Sequence, residues 1–112
     1  MTRERERQYL HYIDESIRLI EKYVAEGKES FLTEPMRQDA IVWRLQAIAD
    51  ATRHHLSDEL KQRHPELTWR AVYGFRNVAA HQDANINIDL VWEIASVGLG
   101  ELKAVVDDAL SR

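Results

Sequence analysis

The densest cluster of reactive side chains in the sequence is formed by Arg76, Asn77 and His81. If this segment is helical, Asn77 and His81 are one turn apart and face the same way, with Arg76 beside them. An Arg guanidinium matches two phosphate oxygens at once, and a His imidazole exchanges a proton near neutral pH. Together these side chains favour phosphodiester chemistry at one patch.

The same residue types also fit a purely structural interpretation. A His in the last turn of a helix favours the negative end of the helix dipole, and an adjacent Arg commonly forms a surface ion pair. The spacing alone leaves both interpretations open.

The composition limits the class of protein. The chain has 112 residues, of which 45% are hydrophobic and 30% charged, as in a single globular domain. It has no cysteine, which excludes disulfides, thiolate metal sites and a cysteine nucleophile. Residues 1–8 alternate Arg and Glu where a signal peptide needs an apolar stretch, so we expect a cytoplasmic protein without a membrane span.

The charge distribution points to the middle of the chain for any anion-binding surface. A net charge of −4 argues against a protein that coats nucleic acid without specificity. Residues 37–76 nevertheless carry a balance of +2, whereas residues 77–112 carry −4.

Apolar residues at helical spacing predict four amphipathic helices and no strand. The first covers residues 4–26 and is capped by Gly27. The second follows an N-cap at Thr33 and extends to His64 and Pro65, a length of about 45 Å at roughly 1.5 Å per residue, which a partner would have to cover in part.

The third predicted helix is capped by Thr68, begins at Trp69 and ends near His81. Residues 82–87 form a polar turn, and the last helix covers residues 90–110, with Gly98 and Gly100 as candidate kink positions. The expected fold is an all-α antiparallel bundle of four to five helices in one domain, residues 1–112.

The spacing of Arg76, Asn77 and His81 resembles the motif of HEPN domains, in which Arg is followed by a polar residue and, a few residues later, by His. The chain also resembles HepT-like ribonuclease toxins of that class over essentially its whole length. The further segments that carry this resemblance are, in the family's order, Gln38-Asp39-Ala40, Arg44-Leu45, Arg63-His64-Pro65-Glu66, Trp69-Arg70 and Ile88-Asp89-Leu90-Val91-Trp92-Glu93-Ile94.

This resemblance implies a helical homodimer in which the motifs of both subunits line a shared cleft and cut RNA without a metal ion. His81 would be the general base or acid at the ribose 2′-hydroxyl or the leaving oxygen, and Arg76 would stabilise charge on the phosphorane. Asn77 would orient the phosphate or the imidazole. The expected product carries a 2′,3′-cyclic phosphate.

One position departs from the family pattern. HepT-like toxins typically carry a Tyr two residues after the motif His, to which a nucleotidyltransferase antitoxin adds AMP groups, and this chain has Asp83 there. Addition of AMP therefore cannot control the protein at position 83. Tyr73 lies at a different place relative to the motif, so it is not assumed to replace the missing Tyr. Asp83 would either pair with Arg76 and repel a phosphate, or hold the imidazole of His81.

Other side chains invite weaker interpretations. Arg37 and Arg44 share one face of the second helix and would extend a phosphate-binding track, or they pair locally with residues such as Asp39. Trp43, Trp69 and Trp92 would stack on bases or, as is more common in bundles, pack in the core or a dimer.

No metal site or other cofactor is expected. The adjacent residues His54 and His55 point about 100° apart on a helix, which is unsuitable for one ion. His11 and His64 stand alone in the sequence.

Two functional hypotheses follow. The leading one is an endoribonuclease, the toxin of a toxin-antitoxin pair, that depends on Arg76 and His81. The rival is a catalytically silent helical module that docks a nucleotidyltransferase-like partner. A structural helical dimer with no nucleic-acid role is favoured by the acidic charge and opposed by the whole-chain resemblance.

Overall fold

A computed structural model of the chain describes residues 2–78 and 87–112. Over these residues the regular secondary structure is entirely helical, which confirms the expected all-α bundle. The elements are α1 (Arg3–Val24), α2 (Lys28–Thr33), α3 (Pro35–His55), α4 (Asp58–Arg63), α5 (Trp69–Tyr73), a 3₁₀ turn (Gly74–Asn77), α6 (Ile88–Ser96) and α7 (Gly100–Leu110).

Helices α1 and α3 form the centre of the bundle. Helix α1 packs against α3, α6 and α7, and α3 also contacts α2, α5, α6 and the 3₁₀ turn. Ile13, Leu45 and Ile48 are completely buried between these elements. Since most of the other elements contact α3, this helix positions the part of the surface that carries Arg76 and Asn77.

The start of the chain follows the prediction closely. Helix α1 begins after Thr2, whose hydroxyl accepts a hydrogen bond from the Arg5 N–H at 3.1 Å. It ends at Val24, two residues before the predicted end, and Gly27 then adopts a φ of +96°, which only glycine adopts without strain.

The predicted N-cap at Thr33 was wrong. Thr33 is the last residue of α2, a short helix with no counterpart among the predicted ones, and its hydroxyl donates to the Glu29 carbonyl at 3.0 Å. Glu34 occupies the N-cap position of α3, with Pro35 as the first helical residue.

The predicted second helix of about 30 residues is also interrupted. Helix α3 ends at His55, Leu56 is extended, and α4 begins after Ser57, whose hydroxyl accepts from the Leu60 N–H at 3.2 Å. The Ser57 N–H donates to the Glu6 carboxylate on α1. Because no such long helix exists, its length is no argument for a covering partner.

The third and fourth predicted helices are each divided. Helix α5 changes into the 3₁₀ turn at Gly74, and the predicted end near His81 lies outside the described residues, as does most of the predicted turn at 82–87. Helices α6 and α7 are separate because the chain turns at Gly98, where an added Cβ would lie 2.9 Å from Ile94 Cα. The candidate kink at Gly98 is thus a full break.

Among the helices described, none combines the length and the apolar character that crossing a lipid bilayer requires.

Candidate functional site

Arg76 is held by α3. Its Nε lies 3.5 Å from Asp50 Oδ1, and its carbonyl accepts a hydrogen bond from the Gln46 side-chain amide at 3.4 Å. The side chains of Arg76 and Asp50 are 57% and 54% exposed. Exposed ion pairs of this kind are weak, so the guanidinium can exchange Asp50 for a phosphate while the backbone stays fixed.

A groove with a volume of about 390 Å³ lies beside Arg76. This volume is near the lower end of the range for ligand sites. Tyr9 and His55 stack there with ring centroids 3.8 Å apart, and Trp43 is 58% exposed with the Arg44 guanidinium 5.1 Å from its ring. The residues that line the groove are Tyr9, Tyr12, Trp43, Gln46, Ala47, Asp50, Ala51, His55 and Arg76. It therefore combines aromatic faces with one cation and one carboxylate.

Asn77 follows Arg76 but faces a different groove. Successive side chains of a 3₁₀ helix point about 120° apart, and Asn77 lines a second groove of about 440 Å³. That groove is lined by Arg53, Arg70, Tyr73, Gly74 and Asn77 and shares no lining residue with the first. The 3₁₀ turn is thus a ridge between the two grooves.

His81, the third member of the predicted site, lies outside the described residues, and so does Asp83. The convergence of Asn77 and His81 on one patch therefore stays a prediction. What the structure adds is that Arg76 and Asn77 are both exposed, on a turn anchored to the central helix.

Comparison with known proteins decides the family. Residues 13–109 match the family model described as ribonuclease HepT-like. The chain belongs to the HepT-like ribonuclease family. This confirms the resemblance found in the sequence.

Three relatives of the HepT-like chain have names that include a provisional RNase assignment. A Methanocaldococcus jannaschii protein named as a gamma-glutamylcyclotransferase and RNase is 29% identical over 96 residues, which are 85% of this chain but only 43% of that relative. An RNase of Caldanaerobacter subterraneus subsp. tengcongensis is 28% identical over 95% of both chains. A ribonuclease HepT of Thermococcus cleftensis is 29% identical over 85% of this chain and 86% of its own.

The chain thus spans less than half the length of the first of these relatives. No solved structure matches the HepT-like chain significantly.

Arg37 does not belong to a phosphate-binding track in this HepT-like fold. Its guanidinium donates to the Tyr23 carbonyl at 2.7 Å and to Glu34 at 2.9 Å, and it also pairs with Glu26. The hydrogen bonds to Glu34 and Glu26 raise the pKa of Arg37 above its ordinary value. The interpretation of local pairing is therefore correct for Arg37, with these two glutamates in place of Asp39.

Arg44 and the three tryptophans differ in their contacts and in their exposure to solvent. Arg44 donates to the buried Ser16 hydroxyl at 3.3 Å, in addition to its contact with Trp43. Trp69 and Trp92 are partly buried against the core, whereas Trp43 faces solvent in the groove beside Arg76. Of the three tryptophans, only Trp43 is thus placed for a contact outside the chain.

The described histidines have different surroundings. His54 is exposed, His55 stacks on Tyr9, and the described residues contain no group of three His, Cys, Asp or Glu side chains arranged to hold a metal. His64, which stands alone in the sequence, is buried between two carboxylates in the fold.

The His64 cluster joins the segment before α5 to α7. His64 Nδ1 lies 3.1 Å from Glu66 Oε2 and Nε2 lies 3.3 Å from Asp108 Oδ2, while the His64 carbonyl accepts from the Trp69 indole at 3.2 Å. A hydrogen bond from its own backbone N–H and one from His64 lower the pKa of Glu66. Because these contacts lie away from both grooves, we assign the cluster a structural role.

Proposed function

We propose that this HepT-like protein is an endoribonuclease in which Arg76 and His81 catalyse cleavage and Asn77 orients the phosphate or the imidazole of His81. The observation that supports it most is the placement of Arg76, exposed on a turn that α3 fixes, with only a weak ion pair to Asp50 to displace. The family provides the activity class. The RNase names of the relatives point the same way.

The proposed reaction uses the substrate's own nucleophile. The ribose 2′-oxygen forms a bond to phosphorus, the bond from phosphorus to the 5′-oxygen breaks, and the products carry a 2′,3′-cyclic phosphate and a 5′-hydroxyl. His81 accepts the proton of the 2′-hydroxyl or donates one to the 5′-oxygen, with water as the other proton carrier. Arg76 stabilises the additional negative charge on the phosphorane. This pair requires no metal ion for these tasks.

The test is cleavage of transfer RNA and of a mixed RNA pool in the presence of EDTA. We expect the wild type to leave cyclic phosphate ends and His81→Ala and Arg76→Ala to lose activity by about 100-fold or more. Arg18→Ala is the matched control, because Arg18 is an exposed cation paired with Asp14 on α1. Thermal unfolding of each variant separates loss of activity from loss of folding.

Failure of the wild type to cut RNA under these conditions would overturn the proposal. The catalytically silent module that docks a nucleotidyltransferase-like partner would then be the better account. Equal activity of wild type and His81→Ala would instead remove His81 from the mechanism.

We further propose that the protein is a homodimeric toxin with a nucleotidyltransferase antitoxin. Exposed apolar side chains support the dimer: Met36 is 86% and Trp43 58% exposed, and they lie two turns apart on the same side of α3. The antitoxin follows from the family resemblance. Because Asp83 replaces the Tyr that receives AMP, inhibition here would act through binding.

The antitoxin proposal has a direct test in cells. Expression of the chain alone should arrest growth, and co-expression of a nucleotidyltransferase encoded beside it should relieve the arrest while the chain's mass stays unmodified. Growth that is unaffected by the chain, or AMP groups found on it, would contradict this part of the proposal.

A further inference from the structure

The groove beside Asn77 carries a concentration of positive charge that the reaction above does not use. Arg53 of α3, Lys61 of α4 and Arg70 of α5 all lie at or beside it. The Arg53 Cζ is 5.8 Å and the Lys61 Nζ 5.0 Å from the centroid of the Tyr73 ring. Cation–π contacts of this kind hold charged groups in place without neutralising them.

None of these cations forms an ion pair within the described part of the chain. None of the three lies within 4.0 Å of a carboxylate there, in contrast to Arg76, and neither Asp nor Glu lines the groove. This local excess occurs in a protein whose net charge is −4. A groove lined by positive side chains attracts an anionic ligand and raises the local concentration of that ligand.

We propose that this cationic groove, defined by Arg53, Lys61, Arg70 and Tyr73, binds the phosphodiester backbone of the RNA strand next to the scissile phosphate. The inference rests on the proposed ribonuclease function and extends it by naming how the substrate is held. Arg side chains bind phosphate oxygens in two-point contacts, and Lys acts as a point charge.

The position of the groove links it to the proposed reaction. Asn77 lines the groove and Arg76 is its neighbour on the same turn, so their Cα atoms are about 3.8 Å apart. A strand held by Arg53 and Arg70 would therefore pass beside the turn that carries Arg76. The groove would act through affinity for the strand, whereas Arg76 acts on the reacting phosphate.

Gly74 offers a way to block the groove without changing its charge. It lies in the groove wall with φ of −64°, and an added Cβ meets no atom within 4 Å. The side chain of Gly74→Leu would therefore begin in open space, in the region that the backbone of the strand would occupy, and thermal unfolding checks that the variant folds. This variant tests the shape of the groove, whereas Arg53→Gln and Arg70→Gln test its charge.

The experiment measures binding in a His81→Ala background, by fluorescence anisotropy of a labelled single-stranded oligoribonucleotide over a range of salt concentrations. We expect Arg53→Gln with Arg70→Gln to weaken binding by about tenfold or more and to reduce the salt slope by about 0.7 for each lost contact. Gly74→Leu should weaken binding by a similar factor while the protein keeps every charge.

The matched control is Arg18→Gln with Arg112→Gln. This double variant also loses two positive charges, but from exposed arginines that pair with Asp14 and Asp108, away from the groove. Binding that falls equally in the control and in the groove variants would overturn the proposal, because the effect would then reflect net charge.

Two further outcomes separate this inference from the proposed function. Cleavage of a dinucleotide by the wild type tests the reaction alone, because a dinucleotide is too short to occupy the groove as well. Groove variants and Gly74→Leu that bind RNA as tightly as the parent would overturn the inference even if the dinucleotide is cut. The groove would then be free to face an acidic protein partner.

Discussion

Asp50 Oδ1 lies 3.5 Å from Arg76 Nε, so an α3 carboxylate faces the guanidinium proposed to stabilise the phosphorane. Both side chains are more than half exposed, and such pairs contribute about 0–1 kcal/mol in double-mutant cycles. A phosphate that approaches Arg76 must either displace Asp50 or share the guanidinium with it. In the proposed mechanism, Asp50 therefore competes with the substrate for Arg76.

We expect Asp50→Asn to bind RNA more tightly than the wild type. Removal of the competing charge should lower the KM for RNA by about two- to fivefold, which corresponds to the upper part of the range for exposed pairs. Asp39→Asn is the control, since Asp39 is an exposed carboxylate on the same helix without an ion pair among the described residues. A higher KM in Asp50→Asn alone would show that Asp50 positions Arg76 instead of competing for it.

The His64 cluster predicts a dependence of stability on pH. The folded-state pKa of Glu66 is below its ordinary value of 4.5, so its ionised form stabilises the folded state above that value. This contribution is lost as the pH falls through the folded-state pKa. Glu66→Gln should therefore be less stable than the wild type at pH 7, and the two should converge as the pH falls below about 4.5.

Urea unfolding at several pH values measures this difference. Glu15→Gln is the control, because Glu15 is exposed in the middle of α1 and has no ion pair among the described residues. If the difference in unfolding free energy between the wild type and Glu66→Gln grew towards low pH, it would have the wrong sign. That result would contradict a lowered pKa of Glu66 in the folded state.

Ser57 should be a measurable stability determinant at the junction of α3 and α4. Its hydroxyl caps α4 by accepting from the Leu60 N–H, and loss of a Ser N-cap typically costs about 1 kcal/mol. Ser57→Ala should lower the urea midpoint without changing the slope m. Ser96→Ala should have a smaller effect, because the Ser96 hydroxyl bonds to Trp92 O within its helix and caps no N–H group.

The apolar side of α3 should control oligomeric state if the homodimer forms through it. Met36→Ser with Trp43→Ser replaces two exposed side chains and should leave the fold intact. Sedimentation equilibrium should show a dimer for the wild type and a shift towards monomer for the variant. Leu32→Ser is the comparison, as another exposed apolar residue at the end of α2. An equally stable dimer in the double variant would place the interface elsewhere.

Helical periodicity predicts the fold class well but not every helix boundary. The apolar series Thr52, Leu56 and Leu60 keeps helical spacing and is buried throughout, yet the backbone is extended at Leu56. A break that keeps its flanking residues buried does not disturb the hydrophobic pattern. The available signal was Ser57, followed by acidic residues in the first turn of α4.

Helix α2 was not predicted, for a different reason. It has six residues and buries only Phe31, so it is too short to show a periodic pattern.

Residue type identifies Arg76 and Asn77 as candidates, but not their surroundings. The pairing with Asp50 depends on which side of α3 meets the 3₁₀ turn, and single-sequence patterns do not specify how two helices pack together. The basic excess of residues 37–76 indicates the region of the cationic groove. It does not indicate which of those cations lie near Tyr73.

The break at Leu56 also affects where two cations lie on the surface. In one continuous helix, Arg53 and Lys61 would be about 12 Å apart along the axis, at roughly 1.5 Å per residue. The change of chain direction between α3 and α4 instead brings both within 6 Å of the Tyr73 ring. In a polypeptide with a negative total charge, two cations from helices on either side of a bend in the backbone thus share one aromatic side chain.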